Sequence, residues 1–260
     1  MKVVILAGGL GTRIGEETVV KPKPMVEIGG YPILWHIMKG FSAQGFNEFV
    51  ICAGYKQHLI KEYFADYFLH MADITFDFSN GRSEMLVNHA KAEPWKVTVV
   101  DTGYSTMTGG RVKRVAEYVR DGAFMLTYGD GVADVDLRAL VDFHRSHGKT
   151  VTISAYNAGQ RFGVIDMSDD GAVKEMREKA AGDGSLINIG FMVCEPSLLD
   201  RIEGDGTMLE REPFAALAAD GELAARKHDG FWQCMDTMRE KALLEKLWSS
   251  GQAPWKTWKD

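Results

Sequence analysis

Short β-rich runs alternate with helix-period segments through the first half of the chain, and that alternation limits the fold more than any other feature. Val3–Leu6, Glu48–Cys52, Val97–Val100 and Phe124–Tyr128 are rich in branched and aromatic residues. Between them, Ile33, Leu34, Ile37, Met38 and Phe41 recur on one helix face. Leu59, Ile60, Tyr63, Phe64, Tyr67 and Phe68 do the same, and later Leu137, Leu140, Val141 and His144. The pattern predicts an α/β fold: a Rossmann-like, mainly parallel mixed sheet with helices on both faces. Ligands of such sheets gather at the carboxyl ends of the strands. The residues just after each run are therefore the first candidates for a site.

Residues 70–95 interrupt the alternation, and Asn80-Gly81 marks a turn, so an inserted hairpin is expected there. Beyond Lys149, Val151–Tyr156, Gly163–Met167, Val173–Glu178 and Ile187–Cys194 read as strands joined by turns. A helix carrying Phe214, Leu217 and Ala218, a strand near Ala224–His228 and a helix near Thr237–Trp248 follow. The aromatic tail from Ala253 to Asp260 is expected to dock on the body or on a neighbour. With no repeat and no linker, residues 1–260 read as a single domain, the portion from 150 to 260 appended to the sheet of 1–149.

Charge and cysteine usage exclude several classes. A net charge of -6 speaks against nucleic-acid binding as the main task, which usually needs a basic face. A small anion needs only a few local cations and remains open. The odd count of cysteines, Cys52, Cys194 and Cys234, has no metal-ligand or redox spacing and reads as buried free thiols. The opening apolar run is too short for a signal segment, and no stretch reaches the roughly 20 apolar residues that span a bilayer. A cytoplasmic location with no membrane partner is expected.

Directly after the first run comes Leu6-Ala-Gly-Gly-Leu-Gly-Thr-Arg13. Gly8, Gly9 and Gly11 let the backbone turn and approach a ligand, so that successive N–H groups can face phosphate oxygens. Thr12 adds a hydroxyl and Arg13 a planar cation. The P-loop pattern fails because Thr-Arg, not Lys-Ser/Thr, follows the last glycine. The dinucleotide fingerprint fails too, since Gly15 stands one place late and no clean amphipathic helix follows. Next comes Lys21-Pro-Lys-Pro-Met25, whose prolines stiffen the stretch, keep it out of helix and present Lys21 or Lys23 beside the loop.

Gly8–Arg13 followed by Lys21–Met25 resembles the signature of the sugar-phosphate nucleotidylyltransferases. More narrowly, the chain resembles those members that act on CTP and glucose 1-phosphate. That likeness rests on Glu16-Glu-Thr18, Ile33–Met38, Glu62-Tyr-Phe64, Asp101-Thr-Gly103, Met107–Arg111, Thr127–Asp134, Arg161-Phe-Gly163, Gly230–Gln233 and Ala253–Trp258. It implies the fold of nucleotide-diphospho-sugar transferases, with residues 1–149 mainly for the nucleotide and 150–260 mainly for the sugar phosphate. It implies CDP-glucose and pyrophosphate as products, Mg2+ as the cofactor, and a homo-oligomer. The same chemistry with another nucleotide or hexose phosphate stays open, as does a non-catalytic nucleotide-sugar-binding protein.

The implied reaction is in-line attack of a sugar-phosphate oxygen on the α-phosphorus of the triphosphate. The nucleophile is already anionic, so catalysis should be positioning and charge stabilisation rather than proton transfer. Arg13, Lys23 and Asp130 are the expected catalytic residues. Asp130, between glycines just past a strand, and Asp236, at a strand-to-helix junction, are the expected metal ligands, since two carboxylates plus phosphate and water suit magnesium. Without the resemblance the two read as a turn residue and a helix N-cap. Leu6, Ala7, Gly8, Gly9, Gly11, Thr12, Arg13, Lys23, Thr102, Gly103, Thr108, Gly109, Arg111 and Asp130 are expected at the nucleotide. Tyr128, Gly163, Glu178, Lys179, Asn188, Gly190 and Trp232 are expected at the sugar phosphate, with Trp232 either stacking on the sugar or filling core. Ala180 and Ile189 stand where the family has proline and glycine.

Overall fold

The computed structural model describes all residues except 80, 82, 90, 158–163, 169, 170, 178–185 and 260, and the side chains at 13, 16, 164–167 and 175–177. The first half runs β1 (Val3–Ala7), α1 (Glu16–Val20), β2 (Glu27–Ile28), β3 (Tyr31–Pro32), α2 (Ile33–Ala43), β4 (Glu48–Ala53), α3 (Gln57–Ala65) and α4 (Tyr67–His70). It continues with β5 (Asp73–Asp77), β6 (Glu84–Asn88), β7 (Lys96–Asp101), α5 (Thr108–Arg114), α6 (Ala116–Val119) and β8 (Phe124–Tyr128). Then come β9 (Gly131–Ala133), α7 (Leu137–His147), β10 (Val151–Asn157), β11 (Val164–Met167), β12 (Val173–Arg177) and β13 (Leu186–Cys194). The chain ends with α8 (Glu212–Ala219), β14 (Leu223–His228), β15 (Trp232–Cys234) and α9 (Met238–Ser249).

One sheet of nine strands carries the order β12-β11-β13-β8-β1-β4-β7, with β10 on β13 and β14 beyond it. β7, β4, β1 and β8 are parallel neighbours, so their carboxyl ends lie on one edge. β13 runs antiparallel to β8 and β10, and β10 pairs parallel with β14. The expected mixed α/β sheet is present. Strands of both chain halves share it.

Every residue of β1 is buried, as a strand covered on both faces requires. Val3, Ile5 and Ala7 point into a core with α2 side chains Ile33, Leu34, Ile37, Met38 and Phe41 and with Leu140 of α7 and Leu244 of α9. Val4 and Leu6 point the other way, to Val112, Val119 and Phe214 near α5, α6 and α8. Each fully buried large apolar side chain contributes about 1.5–3 kcal/mol. α7 starts where Asp136 accepts a hydrogen bond from the Ala139 N–H at 2.9 Å and stops at Gly148 in the left-handed region. The tail docks on this chain itself, with Trp255 in the first core, 1% exposed.

Two local expectations are corrected, and one pairing is added. The helix read through Leu59–Phe68 is two pieces, broken at Asp66. Lys23–Met25 forms one 3-10 turn instead of staying out of helix, because Pro22 and Pro24 fall at its start, where a missing N–H costs nothing. β9 and β15 also pair, although neither has the length to show a period. The inserted hairpin is present as β5–β6, paired Asp73↔Asn88 to Asp77↔Glu84.

Candidate active site

The carboxyl ends of β1, β8 and β7 open onto a cavity of about 550 Å³, a size usual for small-molecule sites. The loop Gly8–Thr12 forms one wall, Tyr104–Thr108 with Arg111 another, and Tyr128–Asp130 with Lys23 and Pro24 the remainder. Of the residues expected at the nucleotide, Leu6, Ala7, Gly8, Gly9, Gly11, Thr12, Lys23, Thr108, Arg111 and Asp130 line it. The side chain of Arg13 and all of Gly163, Glu178 and Lys179 lie outside the described residues.

The remaining expected contacts sit behind the wall. Thr102 is fully buried and donates its hydroxyl to the Ala53 carbonyl at 2.7 Å. It accepts in turn from Arg111 Nη1 at 2.8 Å. Gly103 gives its carbonyl to the same guanidinium at 2.8 Å. Gly109 packs on Thr207, where an added Cβ would come within 2.8 Å of a carbonyl oxygen.

Arg111 is the tie rod of this end of the sheet. Its guanidinium, 5% exposed, also donates to the Gly8 carbonyl at 3.0 Å and to Tyr104 at 3.3 Å. It thereby joins the loops after β1 and β7. Burial pulls its pKa down from the ordinary arginine value, but an arginine stays charged. Gly8 is needed for this packing: a Cβ there would sit 2.0 Å from Arg111 Nη1. Ligand approach was the reason read from the sequence; the closer neighbour is a side chain.

Two aspartates meet at Lys23. β9 and β15 pair antiparallel, with Cys234 opposite Gly131, and the Met235 N–H donates to the Asp130 carbonyl at 2.8 Å. That two-strand clip brings Asp236 beside Asp130 from more than a hundred residues away. Asp236 is held from behind, where the buried Glu240 carboxylate accepts its backbone N–H at 2.7 Å and that of Thr237 at 2.9 Å. Thr237, not Asp236, is the N-cap of α9, in a capping box with Glu240. Lys23 Nζ donates to Asp130 Oδ2 at 2.6 Å and to Asp236 Oδ1. Burial works against this ammonium, yet Asp130 and Asp236 together hold its pKa above the ordinary lysine value.

The carboxylates fit a divalent ion. Their oxygens converge on one point already filled by a cation, and both are hard donors. Among the described residues no group of three His, Cys, Asp or Glu could hold a metal. An ion here would take its other ligands from water and phosphate, as magnesium commonly does. Cys234, next to this pair, is pushed up to about 12 by burial and then by Asp236.

On the other side of Tyr128 lies the region expected to hold the sugar phosphate. Tyr128 donates to Glu210 Oε1 at 2.6 Å, and Thr108 donates to Glu210 Oε2 at 2.7 Å. Burial and then Glu210 hold the Tyr128 phenol well above its ordinary pKa, keeping it a donor. Gly190 presses on the Tyr128 ring, and its N–H donates to Asn188 Oδ1 at 2.9 Å. Trp232 lies by Gly131, its ring centroid 5.8 Å from that of Tyr156. Asn188, Gly190 and Trp232 do not line the cavity itself. Sequence reasoning missed Glu210, in a charged stretch without a marking motif, and Glu240, which the capping-box spacing Thr237-Met-Arg-Glu240 could have marked. It also missed Pro24 and Gly129 as cavity lining.

A glycine-lined cavity at the parallel edge, bordered by a lysine and an aspartate, with a second aspartate on the same lysine, is the arrangement of a phosphate-handling α/β enzyme. The nucleotidyl transferase family model matches residues 2–246, and the chain belongs to that family. It is 60% identical over 259 residues to the glucose-1-phosphate cytidylyltransferase of Salmonella typhi, covering 99% of this chain and 100% of that one. It is 44% identical, at the same coverage, to the probable glucose-1-phosphate cytidylyltransferase of Bacillus subtilis (strain 168). The crystal structure of HddC from Yersinia pseudotuberculosis superposes with a TM-score of 0.73 at 22% identity, covering 95% and 99% of the two chains. That likeness is one of fold. No helix among the described residues is long and apolar enough to cross a membrane.

Proposed function

We propose that this protein transfers the cytidylyl group of CTP to α-D-glucose 1-phosphate with Mg2+, giving CDP-glucose and pyrophosphate. The observation that carries the reading is that Lys23, which lines a glycine-lined cavity together with Asp130, pairs with that aspartate and with Asp236 behind it. Similarity over 99% of the chain to proteins named for that reaction supports the choice of substrates. The N–H groups of Gly9–Thr12 and the side chains of Arg13 and Lys23 bind the triphosphate and orient its α-phosphorus. The base lies against Leu6–Gly8 and the Tyr104–Thr108 wall. Asp130 and Asp236 hold the ion, which when bound neutralises phosphate oxygens along the reaction path. Lys179 grips the sugar phosphate, and Glu178, Asn188, the Gly163 and Gly190 segments, Tyr128 and Trp232 surround the sugar.

Residues 1–149 serve mainly the nucleotide and 150–260 mainly the sugar phosphate, in the cytoplasm. The exposed apolar side chains of the β5–β6 hairpin, Phe76, Phe78, Met85, Leu86 and Val87, favour a homo-oligomer. The test is pyrophosphate release from each of four nucleoside triphosphates against several hexose 1-phosphates, with magnesium and with chelator. CTP with glucose 1-phosphate should give the highest kcat/KM, and Asp130→Asn and Asp236→Asn should each lose about 10²-fold or more in kcat. Near-normal turnover in both variants, or another substrate pair in first place, overturns the reading.

A further inference from the structure

We infer that Lys23 is an internal counter-ion that bars the Asp130–Asp236 pair to metal until a nucleotide draws its ammonium away. The inference rests on the metal role of the two aspartates proposed above. Its starting point is the place of the ammonium: one Nζ satisfies both carboxylates at once, with Asp130 Oδ2 at 2.6 Å. The two carboxylates lie close enough to share one partner, and without a cation they repel each other. A lysine and a divalent ion therefore compete for one position, and only one can hold it.

The lysine is built to move. Its backbone is fixed in the 3-10 turn between Pro22 and Pro24, while its stem runs beside Gly11, where an added Cβ would lie 3.0 Å from Lys23 Cβ. The side chain thus lies between the phosphate loop and the carboxylates, and it borders the cavity. Rotation about the four-carbon stem alone can carry Nζ from one to the other. In the protein without nucleotide, a metal that enters must expel a buried ammonium with nothing anionic to receive it, which is unfavourable. When a triphosphate lies along Gly9–Thr12, the expelled ammonium gains a new anion. Metal and nucleotide then bind cooperatively, and the coupling is reciprocal. A purely structural Lys23 would leave the free protein's metal affinity unchanged or lower on substitution.

The test is Mn2+ binding to the full chain without nucleotide, read by electron paramagnetic resonance of the free ion. Lys23→Gln should bind Mn2+ on the order of tenfold more tightly than the wild type, and Mn2+ should raise its Tm further. Lys23→Arg, which keeps the charge, should stay as weak as the wild type. Adding Asp236→Asn to Lys23→Gln should abolish the gain. Unchanged or weaker binding by Lys23→Gln, or a gain that survives Asp236→Asn, overturns the inference. If Lys23→Gln does not fold, 15N-lysine spectra of the wild type answer instead. One protected ammonium resonance should persist with Mg2+ alone and shift when Mg2+ and CTP are both added. A resonance displaced by Mg2+ alone at low millimolar concentration overturns it. Magnesium-dependent pyrophosphate release by the wild type upholds the proposed function whichever way these titrations fall.

Discussion

Arg111 and His36 show how far a residue's surroundings reassign it. The sequence places Arg111 at the nucleotide. It does line the cavity, and its two Nη groups also donate to Ala53, Thr102, Gly103, Gly8 and Tyr104. Nothing local in Met107–Arg111 could have told a ligand from four loop partners. His36 is a packed core residue: its Nε2–H donates to the Ile28 carbonyl at 2.8 Å, amid Trp35, Trp248 and Trp255. Burial lowers its pKa to about 4. The unfolded chain takes up that proton as pH falls through the ordinary 6.5, while the folded chain resists until about 4. Stability should therefore be full above pH 6.5 and fall by about 3 kcal/mol on the way down to pH 4. Urea unfolding at stepped pH measures it, and His36→Gln should flatten the slope between pH 6.5 and 5.

At the scale of elements, the site is assembled by short pieces. The β9–β15 clip has three residues a side, below the length at which alternation can be read, yet it brings the two aspartates to Lys23. α9 then fixes Asp236 through Glu240. Thr237→Ala should cost about 1 kcal/mol by loss of the cap. Glu240→Gln, which leaves the fold largely intact, should lower kcat more than it raises KM, because it loosens a ligand and not a substrate contact; equal effects on both would refute that. On β13, Gly190 has φ +83 and an added Cβ would lie 2.2 Å from the Tyr128 ring. Gly190→Ala should destabilise by about 2–4 kcal/mol, seen in thermal unfolding, and should raise the KM for the sugar phosphate by displacing Tyr128.

Across the whole molecule, the tail closes the first core. Trp255 reaches back to α2, its Nε1 donating to His36 Nδ1 at 3.4 Å, and stacks on Phe231 just before β15. It thus couples the last residues to α2 and to the clip behind Asp236. Trp255→Ala should cost about 3–5 kcal/mol, measured by urea unfolding, and lower activity as well. A loss under 1 kcal/mol would show that the tail merely rests on the surface.

The chain's own pattern was enough for the parallel edge and for its glycine loop, because strand length, helix period and glycine spacing are local signals; of Asp130 it showed only a turn residue just past a strand. Asp236 was legible only as a residue at a junction. Its meeting with Asp130 was implied by the family resemblance, while the lysine shared between them, the Arg111 tie and the Tyr128–Glu210–Thr108 bridge came from the folded chain alone. Each joins residues far apart in sequence, and a contact of that kind is set by how the layers stack and leaves no periodic trace in the order of amino acids.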